Sequence, residues 1–85
     1  MKIYYSSKFA KEYQKLPQKI KLLAEKKEKI FRQNPFDPRL KSHKLTGRLQ
    51  EFWSFSINYK HRIIFELIDA GTVWFHSAGT HQIYR

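Results

Sequence analysis

Hydrophobic and polar positions repeat along this chain with two different periods. Between Ser7 and Gln33 the apolar residues keep helical spacing: Phe9, Tyr13 and Leu16 at i, i+4 and i+7, then Ile20, Leu23, Ala24, Ile30 and Phe31. Lys19, Lys21, Glu25, Lys26 and Glu28 fall mostly off that face, which predicts amphipathic helices. Pro17 divides the pattern in two, and Asn34-Pro35 stops it. Ser6 or Ser7 can cap the first helix by accepting an orphan backbone N–H. From Phe52 the period changes to two. Trp53, Phe55, Ile57 and Tyr59 alternate with Ser54, Ser56 and Asn58, which predicts a strand over Phe52–Tyr59. Arg62–Ile68 reads as a second strand, Asp69-Ala70-Gly71 as a hairpin turn and Thr72–Ala78 as a third strand. Ile3, Tyr4 and Tyr5 add a short strand ahead of the helices. The order β-α-α-β-β-β predicts an α+β fold. Two N-terminal helices pack on a largely antiparallel four-stranded sheet, in a single domain over residues 1–85.

Residues 34–51 show neither period, and their prolines and Gly47 mark an ordered loop, a length often tied to function. This loop carries Arg39, Lys41, His43, Lys44 and Arg48.

Charge narrows the candidate roles. The 85 residues hold 17 Lys and Arg against 7 Asp and Glu, a formal net charge of +10. Residues 1–33 carry ten of those cations and three of the acids. Such an excess calls for a polyanionic partner, most commonly nucleic acid. Hydrophobic content of 41% is enough for a core and argues against disorder. The absence of cysteine removes disulfides, thiolate metal sites and thiol nucleophiles, and fits a reducing cytoplasm. No apolar stretch reads as a signal peptide or a membrane span, so a cytoplasmic protein without a membrane partner is expected.

The four histidines, His43, His61, His76 and His81, lack metal-ligand spacing, and Gly47, Gly71 and Gly79 are isolated rather than arranged as a phosphate loop. No metal and no cofactor are expected. His, Arg, Lys and Tyr in a basic chain suit phosphodiester transfer on RNA. The 2′-OH supplies the nucleophile, so the protein has only to provide a base, cations for the charged transition state and an acid for the leaving oxygen.

Four segments, in this order and spacing, resemble the RelE/ParE superfamily of toxins from bacterial toxin–antitoxin modules: His43-Lys44-Leu45-Thr46-Gly47, Phe52 to Ile57, His61-Arg62-Ile63-Ile64-Phe65, and Gly79-Thr80-His81-Gln82-Ile83-Tyr84. The resemblance implies a metal-independent mRNA endoribonuclease of the RelE, YoeB or YafQ kind, often acting on the ribosome. It also implies a cognate antitoxin that holds the toxin inactive in a hetero-oligomer, the free toxin being a monomer. It places His43 and His81 on histidines of YafQ-like toxins, Arg62 on the arginine that opens the third strand, and Tyr84 on the C-terminal aromatic that stacks on a base. Lys41 or Lys44 would stand in for the lysines of RelE. Two positions depart from the pattern. Ser77 stands where YafQ-like toxins have arginine, and Arg39 near where YoeB-like toxins have a catalytic glutamate.

The expected site is therefore His81, Arg62, His43 and Tyr84 for chemistry, with Lys41, Lys44, Arg48, Arg39 and Arg85 binding RNA. His61 and His76 read as structural or surface residues. The competing expectation is a ParE-like gyrase inhibitor, which binds without chemistry and needs neither His43 nor His81.

Overall fold

The computed structural model describes residues 1–84, and Arg85 lies outside the described residues. Strand β1 (Lys2–Tyr5) leads into α1 (Ser7–Gln14), whose start is fixed by Ser6: its Oγ accepts the Phe9 N–H at 2.9 Å. Pro17 then opens α2 (Gln18–Gln33), where its missing N–H costs nothing. The loop that follows is more structured than its sequence suggests. It holds two 3₁₀ turns, Pro38–Leu40 and Gly47–Leu49, and a two-residue strand β2, His43–Lys44. Strands β3 (Trp53–Ser56), β4 (Arg62–Asp69) and β5 (Thr72–Gly79) follow, and His81–Tyr84 forms a last 3₁₀ turn.

The sheet order is β1-β5-β4-β3-β2, with β1 parallel to β5 and the other neighbours antiparallel. It is thus a five-stranded mixed sheet, one strand more than expected. The added strand is β2, too short for any periodicity to announce it. The expected strand over Phe52–Tyr59 is also shorter: it ends at Ser56, and Tyr59 is 91% exposed in the connection to β4.

Both helices share one face of the sheet. Phe31 of α2 is fully buried there, with ring centroids 5.0 Å from Phe55, 4.9 Å from Phe65 and 5.3 Å from Phe75. Phe9 of α1 joins them at 5.5 Å from Phe75. Aromatic pairs at this spacing add edge-to-face attraction to the burial of their area. Strand alternation sends Ser54, Ser56, Arg62, Ile64, Glu66 and Trp74 to the opposite face.

β1 accompanies β5 only as far as Phe75. Beyond that point α1 takes over the open edge. Ser6 donates its Oγ–H to the His76 carbonyl at 2.9 Å, and Glu12 accepts the Ala78 N–H at 3.1 Å and the Ser77 hydroxyl at 2.6 Å. Side chains thereby complete backbone pairing that a longer β1 would have supplied.

Candidate functional site

The face turned away from the helices brings the sequence candidates together by register. His43 pairs with Ser54, Ser54 with Ile64 and Ile64 with Ser77, so these four lie in one row across the sheet. One pair further along, Ser56 faces Arg62, and Arg62 faces Gly79. The Arg62 guanidinium donates from Nη1 to Ser56 Oγ at 2.6 Å, which fixes the half-buried side chain against the sheet.

Past Gly79 the chain turns back over this face. A Cβ on Gly79 would come within 2.8 Å of Ile83 Cγ2, so the position needs glycine for the turn to close. The turn sets the Tyr84 hydroxyl 2.8 Å from Ser54 Oγ and the His81 ring edge-on to Tyr84, centroids 5.8 Å apart. His81 itself is exposed. Together with Arg62, Tyr59, Lys60, Thr80 and Gln82 it lines an open groove of about 530 Å³.

Arg62, His81 and Tyr84 therefore surround one turn, and His43 stands a strand away, opposite the serine that Tyr84 touches. The His43 ring is exposed, with Nδ1 3.3 Å from the Lys41 carbonyl. Lys41 sits in the left-handed region, φ 52°, where the 3₁₀ turn Pro38–Leu40 ends.

The other cations are spread more widely. Lys44 alternates with His43 and pairs with Trp53, so it belongs to the helix side of the sheet. Arg48 is exposed in the turn Gly47–Leu49. Arg39 is clasped to Asp37, Nε to Oδ1 at 3.0 Å and Nη2 to Oδ2 at 2.9 Å. Hydrogen bonds from the Arg39 side chain and backbone, the former the larger influence, hold the Asp37 carboxyl down at about 2.

His76 shares a 2.9 Å contact between its Nε2 and Glu66 Oε1, and His61 rests on Asn58. Burial, with the nearby Lys60 charge, lowers the His61 pKa below its ordinary 6.5. Among the described residues no three His, Cys, Asp or Glu side chains converge on a metal position, and no helix is long and apolar enough to cross a membrane.

Sequence reasoning missed Ser54 and Ser56. Both occupy the polar phase of β3, which resembles a solvated face, yet they are 0% and 5% exposed because Tyr84 and Arg62 cover them. It also missed the tie of the Lys8–Glu12 pair to Ser77, since nothing local links α1 to a residue 65 positions beyond Glu12.

The fold is that of the RelE/ParE-like toxins of toxin–antitoxin modules, of the YoeB and YafQ kind. Among solved structures the chain is similar to the YoeB/ParE toxin from Agrobacterium tumefaciens, with 19% identity, a TM-score of 0.81 and coverage of 95% of this chain and 99% of that one. It is similar to YafQ from Escherichia coli, 19% identical, TM-score 0.80, over 96% of this chain and 94% of that one. The YoeB–YefM complex from Staphylococcus aureus matches at 22% identity and TM-score 0.77, over 95% and 97% of the two chains. At such identities the likeness is one of fold. No protein-family model matches the sequence, and no curated protein sequence does either.

Proposed function

We propose that the protein is the toxin of a type II toxin–antitoxin module and that it cleaves mRNA, on the ribosome, stopping translation. The observation that carries this reading is the gathering of Arg62, His81 and Tyr84 around one turn on a strongly basic chain. Arg62 neutralises the scissile phosphate as charge builds in the transition state. The Tyr84 ring stacks on a neighbouring base. His81, whose imidazole can both accept and donate a proton, exchanges protons with the 2′-OH or the leaving 5′ oxygen, with His43 as the complementary group or a phosphate contact. The attack forms a 2′,3′-cyclic phosphate and expels a 5′-hydroxyl. Lys41, next to His43, and Arg48, exposed in the turn Gly47–Leu49, hold the strand. The same basic surface, with its exposed rings, suits an antitoxin segment of net negative charge, whose approach would be steered by long-range attraction.

The test is cleavage of RNA by the purified protein, in EDTA and without it, with analysis of the ends. Cyclic or 3′-phosphate ends beside 5′-hydroxyls, unaffected by chelation, are expected. In cells, labelling should show translation stopping first. If DNA synthesis stops first and purified protein leaves RNA intact, the ParE-like gyrase inhibitor replaces this reading.

A further inference from the structure

The uncovered face of the sheet continues beyond the groove, and its continuation is aromatic. Register sets Tyr4 of β1, Trp74 of β5 and Glu66 of β4 side by side. Tyr4 is 49% exposed and Trp74 43%, although each carries enough apolar area that burial would stabilise it substantially. The Trp74 ring centroid is 5.5 Å from that of His76, which in turn is 5.0 Å from Phe52. A shallow cleft of about 290 Å³, where Phe52, Ile64, His76 and Ile83 meet, joins this row to the turn that carries His81 and Tyr84. Four rings thus run from the β1 edge to the candidate site.

From this arrangement we infer that Tyr4 and Trp74 form a stacking platform for the bases of single-stranded RNA that extends away from the cleavage position, an inference that rests on the RNA reading above. Two observations select this occupant. The exposed surface is made of planar rings, and any base offers a π-face to them regardless of sequence. The row also has cations at both ends: Lys2 lies two positions before Tyr4 and so on the same face, and Lys8, paired with Glu12 but with most of its side chain exposed, lines the cleft at the other end. Of the carboxylates on this face, Glu66 is already engaged by His76, and Asp69, in the row of Lys2 and Thr72, accepts the Gly71 N–H. A polyanion with flat apolar groups matches that combination. The platform binds without touching the reacting atoms, so it governs affinity for longer substrates and leaves the chemical step alone.

The test uses a short 2′-O-methyl oligoribonucleotide, which binds but offers no 2′-OH nucleophile. The chain has two tryptophans. In Trp53→Phe, Trp74 is the only tryptophan, and its emission, excited selectively over that of the tyrosines, should be quenched on titration. Trp74→Leu keeps an apolar side chain but loses the π-face, and should weaken oligonucleotide binding about fivefold or more. Tyr4→Leu, at an equally exposed position, should weaken it in the same direction. Cleavage of a minimal dinucleotide by Trp74→Leu should match wild type. Oligonucleotide binding by fluorescence anisotropy with Trp74 unquenched, and with Trp74→Leu affinity unchanged, would overturn the platform, leave the RNA reading standing and return this face to a protein partner. Absence of any oligonucleotide binding would overturn the platform, and RNA left intact in the cleavage test as well would remove the RNA reading with it.

Discussion

Glu12 of α1 and Ser77 of β5, 65 positions apart, meet at 2.6 Å, with the serine hydroxyl donating to Glu12 Oε1. The same carboxylate accepts the Ala78 N–H and pairs with Lys8 at 3.0 Å. Burial alone would raise the Glu12 pKa. The bonds from Ser77, Lys8 and Ala78 together outweigh it and bring the carboxyl below its ordinary 4.5. A carboxyl lowered in the folded state stabilises the fold fully above its unfolded pKa, and that contribution is lost as pH falls through the lower folded value. Glu12→Ala should therefore cost about 1.5 to 3 kcal/mol at neutral pH, the range for hydrogen bonds to a charged group. Glu12→Gln should cost less and flatten the acid limb below pH 4.5. Denaturant midpoints measured at neutral and acid pH check both; parallel pH dependence in wild type and Glu12→Gln would show that the tie contributes nothing.

Arg62→Ala should leave stability nearly unchanged, because the side chain is only half-buried and its bond is to Ser56 alone among the described residues. RNA cleavage should fall by about 10² to 10³, the usual loss when one transition-state donor is removed. Circular dichroism and single-turnover cleavage decide this. A soluble, folded variant with full activity rules out the phosphate role.

His81→Gln should bind RNA with wild-type affinity and cleave at least about tenfold more slowly, because an amide can hydrogen-bond but cannot shuttle the proton. Full cleavage by the soluble variant would move proton transfer to His43. Products with 5′-phosphate ends would instead require an activated water as nucleophile.

Tyr84→Phe removes the 2.8 Å contact with Ser54 and keeps the ring. Ser54→Ala removes the same contact from the other side, so the two variants should have similar, modest effects on cleavage, and the double variant should be no worse than either. Tyr84→Ala should be much worse, since it loses the stacking surface as well. Equal losses in Tyr84→Phe and Tyr84→Ala would assign the function to the hydroxyl.

The two helices, β3 and the β4–β5 hairpin were legible because each announces itself in a local pattern: helical stripes between Phe9 and Phe31, an alternating stretch through Phe55, Asp-Ala-Gly at a turn. His, Arg, Lys and Tyr stood out as reactive types in a basic chain, and the resemblance to the RelE/ParE superfamily singled out His43, Arg62, His81 and Tyr84 among them. What bound them into one place was not visible. β2 has two residues, and only its pairing with β3 defines it. Ser54 and Ser56 are ordinary polar positions until Tyr84 and Arg62 settle on them. Lys44, adjacent to His43, was expected beside it, yet strand alternation turns it to the other face. Each of these facts depends on contacts between segments far apart in the chain, which local periodicity cannot encode.

The parallel pairing of β1 with β5 also governs when the molecule can become whole. Ser6 and His76, joined by a hydrogen bond, are 70 positions apart, and β5 has to slot between β1 and β4 before the edge that α1 grips exists at all. Closing so long a loop carries an entropic penalty that the contacts between β1, α1 and β5 have to offset. The turn bearing His81 and Tyr84 hangs directly from β5. The placement of those two side chains against Ser54 therefore depends on contacts that only the last strand completes.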